Sequence, residues 1–280
     1  MFLTECPRDA MQGWGELIPT AQKIDYINSL MAVGFDVLDC GSFVSPKAIP
    51  QMADTAEVIP EIEKTSTKIS VIVANISGAE RALKHSKIDI LGFPFSMSET
   101  FQHRNTNKSQ EEAFEQIKTI NELTKSEGKT LNIYFSMAFG NPYGEIWKKE
   151  NIVYWVKRLE AVGIENILLS DTIGVATPMM ISEVFSEVPQ SFPNISFGAH
   201  FHNRYEESYA KINAAYSAGC RRFDTAIKGL GGCPMAKDDL VGNLPTEQLI
   251  NFIQQRNIDH SLHLLNFESA WNIAKNIFRF

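Results

Sequence analysis

The chain has 280 residues, of which 44% are hydrophobic and 21% charged, and a formal net charge of −7. That is an ordinary composition for a globular protein, with length for one large domain or two small ones, and it supplies no global basic field for nucleic acid or an anionic membrane. No apolar run approaches the ~18–20 residues that a membrane-spanning helix needs, so neither nucleic acid nor membrane is an expected partner.

Eight β-rich runs alternate with amphipathic helices along the chain. The predicted strands are 2–8, 37–43, 68–74, 88–93, 130–137, 167–170, 195–202 and 222–227. Several are continuously apolar, as parallel strands covered on both faces must be. The helix after strand 1 is predicted from Thr20 to Val33, with Ile24, Ile27, Leu30 and Met31 on one stripe and Gly34 as its stop. Ser109 and Glu112 form a capping box ahead of Ala113, Phe114, Ile117 and Ile120, and Gly128 ends that helix. Thr177 caps the next clear case, with Pro178 in its first turn. Residues 210–218 form another, closed by Gly219.

Eight β-α repeats in about 250 residues fit an α/β TIM (β/α)8 barrel, with a doubly wound open sheet as the alternative. No Gly/Pro/Ser-rich linker divides the chain, so one catalytic domain is expected over 1–280. The barrel would occupy about 1–260. A C-terminal helix within 261–280 would cap the barrel or pack against a partner subunit. The N-terminus lacks the marks of a signal or transit peptide, and a bacterial cytoplasm is the expected setting. Of the four cysteines, Cys6, Cys40 and Cys220 read as reduced, buried thiols.

Chemistry in such a barrel collects at the C-terminal ends of the strands. Asp9, Asp39, Asp171, His200, His202 and the glycine loop Gly229-Leu-Gly-Gly-Cys-Pro234 all fall there. His200 and His202 are two apart in a strand, so their imidazoles share a face about 6.6 Å apart. With Asp9 on the same rim they make a mixed N/O ligand set that suits Mg²⁺ or Mn²⁺, with a three-ligand Zn²⁺ as the weaker option. Asn243, after Gly242, is either a neutral amide ligand or a helix cap before Pro245. Arg8 is either half of a surface ion pair with Asp9 or a fixed positive charge beside a developing oxyanion, with Gln12 adding a hydrogen bond. Asp171 either turns the chain after strand 6 or carries a proton. Cys233 sits in a loop with three glycines that can fold over a ligand. Its thiol is either inert or a proton carrier.

These residues resemble the 3-hydroxy-3-methylglutaryl-CoA lyase family, a branch of the metal-dependent lyase and Claisen-condensing TIM-barrel superfamily. The likeness covers nearly the whole chain. It rests on Pro7-Arg-Asp9 with Gln12, Ser42-Phe-Val-Ser-Pro-Lys47, Ser98-Glu99, Asp171-Thr-Ile-Gly174, His200-Phe-His202, Gly229-Leu-Gly-Gly-Cys-Pro234 and Gly242-Asn-Leu244. The resemblance implies an acyl-CoA substrate, a homodimer, and Mg²⁺ or Mn²⁺ held by Asp9, His200, His202 and Asn243. It implies that Arg8 stabilises an enolate, that Cys233 and Asp171 take part in proton transfer, and that Asp39 is a site carboxylate. Gln12, Ser42, Lys47, Ser98 and Thr172 are candidate substrate contacts, and Lys47 and Lys108 candidate phosphate contacts. Three departures stand out: Asp39 replaces a customary Glu, Asn203 a customary Asp, and Glu206 a customary glycine beside an altered Arg204. They leave a related branched 3-hydroxyacyl-CoA open as substrate. A Claisen-condensing synthase, a pyruvate-releasing aldolase and a non-catalytic metal-binding barrel are the competing readings.

Overall fold

The computed structural model describes residues 1–232 and 241–280. Cys233 and the rest of its loop to 240 lie outside the described residues.

Eight parallel strands form a closed ring: β1 (Phe2–Glu5), β2 (Val37–Ser42), β3 (Lys68–Ile72), β4 (Ile90–Ser96), β5 (Thr130–Ser136), β6 (Asn166–Asp171), β7 (Ser196–Asn203) and β8 (Arg222–Thr225). Each pairs with its neighbours in sequence, and β8 returns to β1 through Phe2↔Arg222 to Glu5↔Thr225, which closes the barrel. The predicted barrel is therefore the fold, and the open sheet is excluded. A short ninth strand, β9 (Gly242–Asn243), runs antiparallel to the end of β7 and pairs Asn243 with His202.

The helices are α1 (Pro7–Gln12), α2 (Thr20–Met31), α3 (Thr55–Glu61), α4 (Ile76–Leu83), α5 (Glu99–Thr106), α6 (Gln110–Ser126), α7 (Lys149–Ala161), α8 (Pro178–Ser191), α9 (Ser208–Ser217), α10 (Thr246–Gln255) and α11 (Leu264–Phe278). The capping box of Ser109 and Glu112 is formed, and the Thr177 hydroxyl accepts from the Met180 N–H with Pro178 at the first helical position. The helices turn residues such as Ile27, Ile117, Val156, Ile181 and Ile212 onto the outside of the barrel, all fully buried. Each such side chain contributes about 1.5–3 kcal/mol by leaving water.

Two boundaries move in ways that matter. Strand 1 was predicted to run through Arg8, but it ends at Glu5. Pro7 cannot donate to the ladder and its fixed φ suits the first turn of a helix, so the chain turns into α1 there. Arg8 and Asp9 thus project from a short helix laid over the barrel mouth. Strand 4 was predicted to stop at Phe93, yet it passes through Pro94 to Ser96. The C-terminal helix α11 packs against α2 of its own barrel, with Phe278 edge-on to Trp14 and Tyr26. No helix among the described residues is long and apolar enough to cross a membrane.

Glu5 ends β1 in full burial. Its carboxyl takes hydrogen bonds from the Ile227 N–H and the Thr225 hydroxyl and lies against the Thr246 hydroxyl, tying β1 to β8 and to the start of α10. Burial outweighs those bonds and pushes its pKa up to about 8. The folded state therefore holds a proton that the unfolded chain has released above about pH 4.5. This contribution to stability is complete below that pH and is lost as pH rises through about 8, a change on the order of 4 kcal/mol. Glu5→Gln, which keeps an oxygen to accept from the Ile227 N–H and removes the titrating proton, is expected to flatten that decline in urea unfolding between pH 5 and pH 9. Parallel stability–pH curves for the two proteins would exclude an ionisable Glu5 as the source.

Candidate active site at the C-terminal mouth of the barrel

A cavity of about 450 Å³ opens at the C-terminal ends of the strands. Arg8, Asp9, Gln12, Ser42, Thr172, His200 and His202 line its floor and walls. These seven candidates, drawn from four separate stretches of sequence, are brought together by the barrel.

The geometry at its base is specific. The alternation of β7 turns His200 and His202 to one face, with ring centroids 5.2 Å apart. His200 Nδ1 lies 3.2 Å from Asp224 Oδ2. An ionised carboxylate only accepts, so Nδ1 carries the proton. His202 Nδ1 lies 2.9 Å from the Thr172 carbonyl oxygen, which fixes the same tautomer. In the neutral imidazoles both Nε2 atoms are then lone pairs, and they face one oxygen, Asp9 Oδ2, at 3.8 and 3.7 Å. His202 Nε2 is buried without any hydrogen-bond partner. Two lone pairs aimed at a carboxylate oxygen repel it unless a cation lies between them.

Asp9 is itself held from three sides. Arg8 Nη1 donates to Oδ1 at 2.9 Å, Gln12 Nε2 donates to the same oxygen, and Asn243 Nδ2 donates to Oδ2 at 2.8 Å. Burial alone would raise the Asp9 carboxyl, but the Arg8 guanidinium holds it well below the usual carboxylate range. It is an anion at any working pH. Arg8 is in turn fixed by Asp39 Oδ2, which accepts from Nε at 2.9 Å and Nη2 at 2.5 Å. The donor set and the orphaned nitrogen fit a divalent, oxygen- and nitrogen-seeking cation.

Several candidates occupy other places. Arg8 is buried, so the surface ion pair is excluded. Asp39 stands behind Arg8 and does not line the cavity. Asn243 reaches the cluster, and α10 starts only at Thr246, so it is not that helix's cap; its Nδ2 faces Asp9 and the Leu230 carbonyl. Asp171 sits behind the wall. Its oxygens accept from the Val175 and Ala176 N–H groups and from Lys211 Nζ at 2.9 Å, a buried ion pair that holds the turn after β6. Ser98 is buried as the N-cap of α5, accepting from the Phe101 N–H. Lys47 is exposed and outside the cavity wall. Lys108 lines the rim, together with Arg104.

Asp224, Lys211 and Arg104 escaped the sequence reading. Asp224 lies in β8, Arg222-Phe-Asp-Thr225, and alternation about Phe223 could have flagged it as an inward-facing carboxylate. Lys211 sits on α9, where a lysine ordinarily reads as solvated. Thr172 is a candidate that contributes in an unforeseen way, through its carbonyl to His202 and its hydroxyl to the Met137 N–H at 2.8 Å.

The glycine loop enters the site directly. Gly231 adopts φ +93°, and a Cβ there would stand 2.4 Å from the Asp9 carbonyl oxygen. Only glycine allows that approach. The segment that leads into Cys233 is thereby laid on α1 beside Asp9.

A family profile described as HMGL-like matches residues 2–274. Human mitochondrial hydroxymethylglutaryl-CoA lyase is 33% identical over 267 residues, which cover 95% of this chain and 82% of that protein. The cytoplasmic 3-hydroxy-3-methylglutaryl-CoA lyase of Danio rerio is 34% identical over 265 residues, 94% of this chain and 78% of the other. Among solved structures, an HMG-CoA lyase from Acinetobacter baumannii in complex with coenzyme A and 3-methylmalate superposes with a TM-score of 0.92 at 31% identity, covering 99% of this chain and 91% of that one.

His202→Ala is expected to abolish stoichiometric binding of Mn²⁺. Asp224→Asn, which leaves all the ligating atoms in place, is expected to weaken it by about 10–100-fold through loss of the His200 orientation. Metal titration followed by elemental analysis checks both. Undiminished occupancy in His202→Ala would place the cation elsewhere.

Proposed function

The chain belongs to the HMGL-like family, and from that membership and the geometry of the site we propose that it cleaves 3-hydroxy-3-methylglutaryl-CoA to acetoacetate and acetyl-CoA. The observation that carries the reading is the convergence of two tautomer-locked imidazoles on Asp9 beside the buried, permanently charged Arg8.

Asp9, His200 and His202 would hold Mg²⁺ or Mn²⁺, and Asn243, whose Nδ2 donates to Asp9 Oδ2, would join them only with its amide turned to present Oδ1. Such a cation, when bound, lowers the pKa of a coordinated hydroxyl and fixes the substrate's orientation. The substrate's tertiary hydroxyl loses its proton, the C2–C3 bond breaks, and the oxygen's electron pair becomes the carbonyl of acetoacetate. The pair from the broken bond passes into the thioester as an enolate, which takes up a proton at carbon to give acetyl-CoA. Burial opposes the charge on Arg8, yet Asp39 and Asp9 raise its pKa above the ordinary arginine value. Arg8 therefore stays cationic and is suited to hold the enolate oxygen. Cys233 is the proposed proton carrier, because the glycines before it lie against Asp9. Asp171 serves by position: Lys211 and two backbone N–H groups occupy its oxygens, and the next residue's carbonyl orients His202. Arg104 and Lys108 at the rim are suited to the phosphates of coenzyme A.

The departures from the family pattern bear little on substrate choice. Asp39 stands behind Arg8, while Asn203 donates to the Arg204 carbonyl and to Ser208. None of Asp39, Asn203, Arg204 and Glu206 lines the cavity.

The test is acetoacetate release from 3-hydroxy-3-methylglutaryl-CoA under reducing conditions with Mg²⁺, with Mn²⁺ and with chelator. Product that depends on the cation is expected. Arg8→Gln is expected to lower kcat by about 10²–10³-fold, the usual cost of removing one oxyanion donor, while bound Mn²⁺ is retained. A folded, metal-loaded protein that releases no acetoacetate would overturn the proposal.

A further inference from the structure

The opposite end of the barrel holds a second cavity, of about 380 Å³. The first residues of β1, β3, β4, β5, β6, β7 and β8 all line it, which places it at the N-terminal mouth, a full strand length from the active site. Its charged lining residues are Lys68, Arg221 and Arg222, and no aspartate or glutamate lines it. On a chain of net charge −7 this is a local inversion of sign.

Arg222 is the centre of that field. It is 6% exposed, so its guanidinium is largely withdrawn from water. Among the described residues its side chain makes one hydrogen bond, Nη1 to Asn166 Oδ1 at 2.8 Å, and no carboxylate lies within salt-bridge distance. Its Nε is buried without a partner. Its Cζ also lies over the ring of Phe2, 5.0 Å from the centroid. The strand beside it is cut away to admit the side chain: a Cβ at Gly198 would stand 3.0 Å from Arg222 Cγ. An unpaired, buried cation is costly, whereas a guanidinium with free N–H groups is a planar fork shaped for carboxylate or phosphate. Phe2, Phe185, Pro189 and Phe197 give the rest of the cavity an apolar wall.

We propose that the N-terminal mouth of the barrel is a binding site for a small anion, a carboxylate or phosphate group carried on a short apolar body, with Arg222 as its anchor. The anion supplies the charge that Arg222 lacks, and the aromatic wall takes the apolar body. The site is independent of the catalytic cation.

The experiment is calorimetric titration of the full chain with phenylphosphate, benzoate and inorganic phosphate, both metal-loaded and after chelation. Saturable binding of phenylphosphate or benzoate is expected, equal in the two preparations, with inorganic phosphate weaker. The better of the two organic probes identifies the oxyanion. Arg222→Met, which keeps the volume and removes the charge, is expected to weaken binding by about 10–100-fold, the worth of a charge-assisted hydrogen bond. Ser196→Trp, at the exposed rim, leaves Arg222 untouched and is expected to block entry, which keeps the test decisive if Arg222→Met fails to fold. Absence of saturable binding, binding that requires the metal, or equal affinity in both variants and the parent would overturn the proposal. Inorganic phosphate as tight as phenylphosphate would overturn the apolar part.

Discussion

The active site depends on where two protons sit. Asp224 and the Thr172 carbonyl each take an Nδ1–H from an imidazole, and each thereby turns an Nε2 lone pair toward Asp9 Oδ2. Remove either acceptor and the ring is free to flip or to change tautomer, and the shared focus is lost. The acceptors come from β8 and from the turn after β6, while the imidazoles come from β7, the strand between. The barrel's register is thus what holds the tautomers: Ser170↔His200 and Asp171↔Phe201 on one side, His200↔Asp224 on the other.

From that focus the structure can be followed outward. Asp9 must be placed over the strand ends rather than in a strand, and Pro7 does this by ending β1 and starting α1. Asp9 must stay ionised in a buried site, and Arg8 opposes the effect of burial. Arg8 must not swing into Asp9 entirely, and Asp39 holds its Nε and Nη2 from behind. The turn carrying Thr172 must not drift, and Lys211 binds Asp171, Gly174 and the His202 carbonyl at once, at 2.9, 3.2 and 3.4 Å. Each outer residue acts by fixing an inner one, so loss of an outer partner would show in metal affinity as well as in stability.

The parts visible in the sequence were those carried by period and punctuation. Continuous apolar runs gave the strands, caps gave the helices, and the convergence of Asp9, His200 and His202 at one end of the barrel gave the candidate ligand set. What the sequence left open was direction. Asp39 lies inside β2 and Asp171 ends β6, and both are turned behind the wall to partners distant in sequence, Arg8 and Lys211. Ser98 precedes a glutamate, a pattern that equally marks a helix start, and capping is what it does. A lysine on α9 that folds inward to a buried carboxylate leaves no local mark, because its environment is supplied by two other strands.

The two mouths of the barrel carry opposite electrostatic demands, and the same strands build both. The C-terminal mouth sets Asp9, Asp39 and Asp224 around Arg8 at its base, whereas the N-terminal mouth gathers Lys68, Arg221 and Arg222 with no carboxylate in its lining. In β8 the contrast lies within two residues, for Arg222 faces the lower cavity and Asp224 binds His200 above it. Alternation explains how: residues two apart share a face, so both point into the barrel, one layer apart. Phe223 between them points outward and is fully buried under the helices. A strand of four residues therefore serves two layers of the interior with opposite charge. If only packing governed the lower layer, an aliphatic residue would fill it without the cost of desolvating a guanidinium. An unpaired Arg222, admitted by Gly198 and bordered by aromatic rings, is the arrangement expected where an anion completes the layer.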